Sequence, residues 1–84
     1  MRIKIYKTAC DYLVKNLSVD RPDLMQLIKL KEEKTLFIVE LDEDVAYKVR
    51  DWAREKLQQE GFEKDYKLTQ NGEYIEDLID LLYV

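Results

Sequence analysis

Two apolar runs at the centre of the chain constrain the fold more than any other feature of the sequence. They cover residues 24–31 and 35–41, and they flank the charged segment 31–34, which reads Lys-Glu-Glu-Lys. Two apolar runs separated by a short polar segment are typical of two antiparallel strands and the turn that joins them. We therefore predict a β-hairpin over residues 24–41.

The register of this hairpin follows from which side chains share a face of the sheet. A four-residue loop pairs Ile28 with Phe37 and Leu24 with Leu41, which places nearly all apolar members on one face. A shift by one residue would pair Lys29 with Phe37 and place a charged residue on the apolar face, so we predict the four-residue loop. The second strand also carries apolar residues on its other face, which predicts a central strand covered on both sides.

Three other segments have the spacing of amphipathic helices, and a short strand precedes them. Ile3 and Ile5 alternate with polar residues, as in a half-buried strand. Thr8 is the predicted N-cap of the first helix. Apolar residues then recur three and four positions apart in each predicted helix. The three stripes are Cys10, Leu13, Val14 and Leu17; Val45, Ala46, Val49, Trp52, Ala53 and Leu57; and Ile75, Leu78, Ile79 and Leu82.

The ends of the last two helices carry recognisable signals. The three acids at 42–44 suit a helix N-terminus, where one caps and the others meet the positive end of the helix dipole. Toward the opposite, negative end of the same helix lie Arg50, Arg54 and Lys56. Gly61 is predicted to end the helix, and in a left-handed conformation it would let Phe62 fold back onto Leu57. Thr69 or Asn71 begins the last helix.

These elements define an α+β fold. The predicted order is β-α-β-β-α-α, with a small, mainly antiparallel sheet built on the central hairpin 24–41 and covered by helices. The chain of 84 residues contains no linker, internal repeat or low-complexity stretch. We therefore predict a single compact domain over residues 1–84.

The residue types that most catalytic and cofactor sites use are scarce. The chain has no histidine, one cysteine and two glycines. It therefore lacks an imidazole base or metal ligand, a cysteine-based zinc site and a glycine-rich phosphate loop. Cys10 lies on an apolar stripe, which is typical of a core residue. We predict a protein that is not an enzyme, with no catalytic residues, cofactor or metal.

Charge is divided unevenly between the two parts of the chain. Residues 1–31 contain seven basic and three acidic residues, a net charge of +4, whereas residues 32–84 contain seven basic and fifteen acidic residues, a net charge of −8. The total of −4 argues against a general binder of the nucleic-acid backbone. The basic first third could still form a local patch if it folds onto one face.

One segment near the C-terminus resembles a known family. The pattern Y-x-L-T-x-x-G, formed by Tyr66, Leu68, Thr69 and Gly72 before an apolar helix, resembles the end of many winged-helix regulators. The resemblance covers about a quarter of the chain. It implies an alternative function, a nucleic-acid-binding module with a winged-helix-like C-terminal half.

Exposed tyrosines and an acidic helix face are the candidate interaction residues. Six tyrosines cannot all lie inside a core this small, and partly exposed tyrosine is favoured at protein interfaces. An acidic helix face can steer the association of a basic partner. The predicted interaction surface consists of Tyr47, Tyr74, Glu73, Glu76, Asp77 and Asp80.

The sequence thus favours a small acidic protein–protein interaction module, of the regulator, inhibitor or immunity type. The expected partner is another protein, with a basic surface. The open edge of a small sheet and the apolar last helix also allow a homodimer. The sequence has no apolar run long enough to span a membrane and no signal peptide, so we expect a cytoplasmic protein.

Overall fold

A computed structural model describes residues 1–63 and 67–83 of the chain. The elements are β1 (Arg2–Tyr6), α1 (Lys7–Asp20), α2 (Pro22–Met25), β2 (Lys29–Glu33), β3 (Leu36–Glu40), α3 (Glu43–Glu60) and α4 (Gln70–Leu81). A single β-bridge joins Phe62 to Leu68 between the last two helices. The fold is α+β, as predicted, with the short helix α2 as an additional element.

The sheet has three antiparallel strands in the order β1-β3-β2. Val39 lies at its centre, opposite Ile3 on one side and Leu30 on the other. The prediction that the second strand of the hairpin is central is therefore confirmed. The predicted cover on both sides of β3 is wrong, because the core lies against one face of the sheet and Leu36 and Ile38 on the other face are only partly buried. β2 carries the charged sequence Lys-Leu-Lys-Glu-Glu and lies exposed at an edge.

The hairpin is shorter than predicted, and its predicted register is wrong. Residues 22–25 form a helical turn that begins at a proline, which suits the first position of a helix. The strands are joined by two residues, Lys34 and Thr35, rather than four, and Phe37 pairs with Glu32 rather than Ile28. Lys34 makes this tight turn with a φ of 51°, in the left-handed region. The register shifts by an even number of residues, so each side chain of β3 keeps its predicted face.

The predicted helix ends are partly confirmed. Thr69 is the N-cap of α4, and its hydroxyl oxygen accepts a hydrogen bond from the N–H of Gly72 at 2.9 Å. Thr8 does not cap α1, because the helix begins at Lys7 directly after β1. Asp42 occupies the N-cap position of α3, but its side chain makes no capping hydrogen bond.

The prediction that Gly61 adopts a left-handed conformation is wrong. Its φ is −81°, in the ordinary helical range. Glycine is favoured there for a steric reason, because a Cβ atom on Gly61 would collide with the side chain and carbonyl oxygen of Leu57. Gly61 also contacts Gly72, the other glycine of the chain. A Cβ atom on Gly72 would lie 3.0 Å from the Cα of Gly61, and closer still to the Gly61 carbonyl oxygen. The missing side chain of Gly72 therefore allows the start of α4 to approach the backbone at the end of α3.

The core lies between the inner face of the sheet and the four helices. Ile3, Ile5 and Val39 contribute from the sheet, and the predicted helical stripes contribute most of the remainder. Cys10 is fully buried in this core, and burial raises the pKa of its thiol to about 11. Its predicted place in the core is therefore confirmed.

Across the residues that the structure describes, none of the helices combines the length and the apolar character needed to cross a membrane.

Candidate interaction surface

The exposed side of α4 carries four carboxylates and no basic residue. Glu73, Glu76, Asp77 and Asp80 are all exposed, and their spacing of three, one and three residues places them along one side of the helix. We call these four residues the α4 acidic stripe. None of them forms an ion pair with a described residue. The structure therefore brings together the four acidic members of the predicted surface.

The buried side of α4 fixes the position of this stripe. Ile75, Leu78 and Leu82 are almost completely buried in the core. The Thr69 cap and the Gly61–Gly72 contact hold the first turn against the end of α3. The acidic stripe thus lies on a helix whose two ends and inner face are all fixed by packing.

Tyr74 lies beside the stripe but faces α1. It is half buried, and its ring lies 6.4 Å from that of Tyr12 with a tilt of 50°. The hydroxyl of Tyr12 donates a hydrogen bond to the Glu60 carboxylate. Burial and this hydrogen bond both raise the pKa of Tyr12. Tyr74 therefore belongs mainly to the packing between α1 and α4, with one side left at the surface.

Tyr47 belongs to a separate cluster around Arg50. Arg50 is only 8% exposed, and its guanidinium carbon lies 5.4 Å from the centre of the Tyr47 ring and 4.9 Å from that of Tyr83. Its Nε and Nη1 atoms have no hydrogen-bond partner among residues 1–63 and 67–83. The two tyrosine rings, which are themselves exposed, stabilise the buried cation through cation–π contacts. Helix-dipole reasoning did not reveal this cluster, although Tyr47 and Arg50 are three residues apart on one helix, which could have indicated it.

A groove runs between the free edge of β1 and the last turns of α4. Its volume is about 270 Å³. Ile5, Ala9 and Leu81 supply apolar walls, Asp77 and Asp80 lie beside them on α4, and Lys4 and Tyr6 of β1 complete the lining. We call this feature the β1–α4 groove. Two residues of the acidic stripe therefore line a concave surface, while Glu73 and Glu76 lie outside it.

The outer face of the sheet is basic. Because Ile3 and Ile5 face the core, their neighbours Arg2 and Lys4 face outward. Lys29 and Lys31 occupy the same face on β2, since Lys31 and Lys4 both lie opposite Ile38 of β3. Within the described part of the chain, Arg2 is the one member of these four with an ion-pair partner, Glu40 at 3.2 Å. Part of the basic first third of the chain therefore does form a patch.

Asp20 joins the end of α1 to the middle of α3. Its Oδ2 atom accepts a hydrogen bond from the Trp52 indole at 2.9 Å and pairs with Lys56 Nζ at 2.8 Å. The hydrogen bond from Lys56, followed by that from Trp52, lowers the pKa of Asp20 below its ordinary value of 3.8. These contacts are structural, because they link two helices of the scaffold.

As the pH falls, the free energy of unfolding of the wild-type protein is expected to decrease more steeply than that of the Asp20→Asn variant. The carboxylate is favoured in the native state, so its contribution to stability is present above pH 3.8 and is lost as the pH falls through the lowered pKa. Urea unfolding of both proteins between about pH 2 and 6 measures this difference. Lys56→Gln should reduce the difference. If the free energies of unfolding of wild type and Asp20→Asn change in parallel with pH, the contacts of Asp20 with Trp52 and Lys56 do not stabilise its ionised form.

The acidic cluster before α3 does not converge on one point. Glu40 bonds to Arg2, and Glu43 and Asp44 lie exposed in the first turn of the helix. Over residues 1–63 and 67–83, no three acidic or cysteine side chains are grouped so that they could hold a metal ion. The acids at 42–44 instead complement the positive end of the α3 dipole.

Comparisons with models of known families, with curated proteins and with solved structures each find no match to this chain.

Proposed function

We propose that this protein is a non-enzymatic protein–protein interaction module of the regulator, inhibitor or immunity type. It binds a basic partner protein in the cytoplasm through the α4 acidic stripe. One observation supports the proposal, namely that four exposed carboxylates line one side of a well-packed helix and form no ion pair with any described residue.

The stripe opposes the stability of its own helix, which favours a binding role over simple solvation. Like charges three or four residues apart on a helix repel each other. Glu76 and Asp77 each lie at this spacing from Glu73 and also from Asp80, which makes four repulsive pairs. Asp80 also lies near the negative end of the helix dipole, and α4 has no basic residue in its last turn. A helix face selected only for solubility would gain from interspersed lysines. A basic partner would supply the missing countercharges.

Removing the charges of the α4 acidic stripe should stabilise the protein. A variant that neutralises the stripe, with E73Q, E76Q, D77N and D80N, should unfold at a temperature about 5 °C above wild type, because four repulsive neighbour pairs are removed. Circular dichroism during heating measures the midpoint. An unchanged or lower midpoint would mean that the stripe does not strain the helix.

The second prediction concerns the partner. Immobilised wild-type protein should capture a basic protein from a nuclease-treated lysate of the source organism. The same stripe variant should capture roughly tenfold less, because each lost charge pair weakens binding modestly. Quantitative mass spectrometry of the bound fraction measures the ratio.

A control variant with the same change in net charge separates a local effect from a global one. Neutralising Asp11, Glu33, Asp51 and Glu55, which are exposed acids on other elements, should leave capture close to wild type. Equal losses with the control variant and the stripe variant would contradict the proposal, because binding would then depend on net charge alone.

The basic outer face of the sheet favours one alternative function, the binding of single-stranded nucleic acid. Lys4, Lys29 and Lys31 surround Ile38 on an open sheet, and the exposed Tyr6 lies on the same face. Basic and aromatic side chains on such a face can contact phosphates and stack on bases. Fluorescence anisotropy with a labelled oligonucleotide tests this alternative. Three phosphate contacts predict that log K falls with log salt at a slope of about −2.

A further inference from the structure

We propose that the partner binds as an extended basic segment, which adds to the free edge of β1 as a fourth strand and lies along the β1–α4 groove. This inference rests on the proposed function and specifies how the acidic stripe is used. The evidence consists of the hydrogen-bonding pattern of β1, the lining of the groove and the charges on either side of it.

The free edge of β1 offers unpaired backbone groups. Met1 and Leu41 exchange both backbone hydrogen bonds, at 2.7 and 3.1 Å. In an antiparallel pair, hydrogen-bonded and non-hydrogen-bonded positions alternate. The next backbone N–H and C=O groups of β1 that point toward β3 therefore belong to Ile3 and Ile5. The N–H groups of Arg2, Lys4 and Tyr6 therefore point away from β3. No backbone hydrogen bond from another described element reaches them.

The groove beside this edge fits the side chains of an added strand. Its apolar walls are formed by Ile5, Ala9 and Leu81, and Leu81 remains 38% exposed. Asp77 and Asp80 lie on the α4 side of the groove, about one helical turn apart. A strand on the β1 edge would direct alternate side chains toward α4 and the others toward the outer face of the sheet.

Charge complementarity identifies the occupant. Side chains directed toward α4 would meet Asp77 and Asp80, which form no ion pair with a described residue and outnumber Lys4, the one basic residue of the groove lining. Basic residues are therefore favoured there. Side chains on the outer face would lie beside Arg2 and Lys4, so uncharged or acidic residues are favoured at those positions. The matching segment is about five residues long, as β1 is, and basic at every second position.

A synthetic peptide tests this directly. The probe is a seven-residue peptide of alternating threonine and lysine, and the control peptide has glutamate in place of lysine. When the probe is present at about ten times its dissociation constant, exchange of the Arg2, Lys4 and Tyr6 amide hydrogens should slow by roughly tenfold. The amides of β2, at the opposite edge of the sheet, should not change. Exchange measured by NMR resolves the individual positions.

Two pairs of variants separate edge pairing from charge attraction. Lys4→Pro removes an outward N–H without breaking a bond to β3 and should abolish binding of the probe, whereas Lys4→Ala keeps that N–H and should bind within about threefold of wild type. Asp77→Asn with Asp80→Asn should weaken binding by roughly fivefold or more, because both carboxylates lie in the groove. Glu73→Gln with Glu76→Gln, outside the groove, should have a smaller effect.

Three results would overturn strand addition. The first is the absence of slowed exchange in wild-type β1 with the lysine peptide at millimolar concentration, a result that does not depend on whether Lys4→Pro folds. The second is equal slowing with the glutamate peptide. The third is a doubled solution mass without peptide, together with amides of β1 that are already protected, since a second copy would then occupy the edge. Capture that depends on the stripe but is unaffected by Lys4→Pro would preserve the proposed function and exclude this binding mode.

Discussion

Gly72→Ala is expected to lower the free energy of unfolding by about 2–3 kcal/mol, the range for forcing extra atoms into a packed site. A Cβ atom at this position would meet only backbone atoms of Gly61, the nearest of them closer than a contact allows. Backbone atoms cannot rotate away as a side chain can, so α4 must move as a unit. Urea unfolding followed by circular dichroism measures the loss.

The sign of this change is informative, because Gly→Ala within a helix normally stabilises by about 0.5–1 kcal/mol. Gly72 lies in the first turn of α4 and has no positive φ, so its backbone conformation does not require glycine. Asn71→Ala, at the exposed neighbouring position, is the matched control and should be neutral or slightly stabilising. A stabilising Gly72→Ala would mean that the ends of α3 and α4 are not in contact.

Leu17→Ala is expected to cost about 3–4 kcal/mol, within the range measured for fully buried leucines. Leu17 is 0% exposed, and it lies in the last turns of α1 within the shared core. A domain of this size has a total stability of only about 4–13 kcal/mol, so much of the population should unfold at moderate temperature. The thermal midpoint and the urea midpoint should fall together.

Val19→Ala tests whether this loss comes from burial. Val19 lies two residues further along the same helix and is 79% exposed. Its truncation should change stability by no more than about 0.5 kcal/mol. Similar losses for the two variants would contradict the described packing of α1.

The features that were predictable from the sequence are those encoded by local spacing. The helical stripes around Leu13, Val49 and Leu78, the Thr69 cap and the central position of β3 all follow from patterns within one or two elements. The acidic side of α4 was predictable for the same reason, since helix geometry alone places its four carboxylates together.

The features that were not predictable depend on contacts between distant parts of the chain. Gly61 and Gly72 are eleven residues apart, and only the packing of α3 against α4 reveals that Gly72 leaves room for the backbone of Gly61. The hairpin register was not predictable from side-chain faces, because a shift by an even number of residues keeps every face. In the structure the register coincides with a tight turn in which Lys34 has a positive φ.

The groove and the basic patch are likewise products of topology. The sequence places Lys4 and Lys31 far apart, and the strand order β1-β3-β2 brings both to one face. The groove requires the end of α4 to lie beside β1, a juxtaposition that no periodicity encodes. The sequence placed Arg50 only toward one end of α3, and its contact with Tyr83 joins residues more than 30 positions apart.

Site-specific photo-crosslinking is the most direct test of the proposed interaction surface. A photoreactive residue is placed either at Glu76, on the acidic stripe, or at Lys31, on the basic face of the sheet, and the protein is irradiated in a lysate of the source organism. We expect a crosslink from position 76 to one basic protein and little from position 31. Crosslinks from position 31 alone, or crosslinks only to nucleic acid, would contradict the proposal that the acidic stripe is the binding surface.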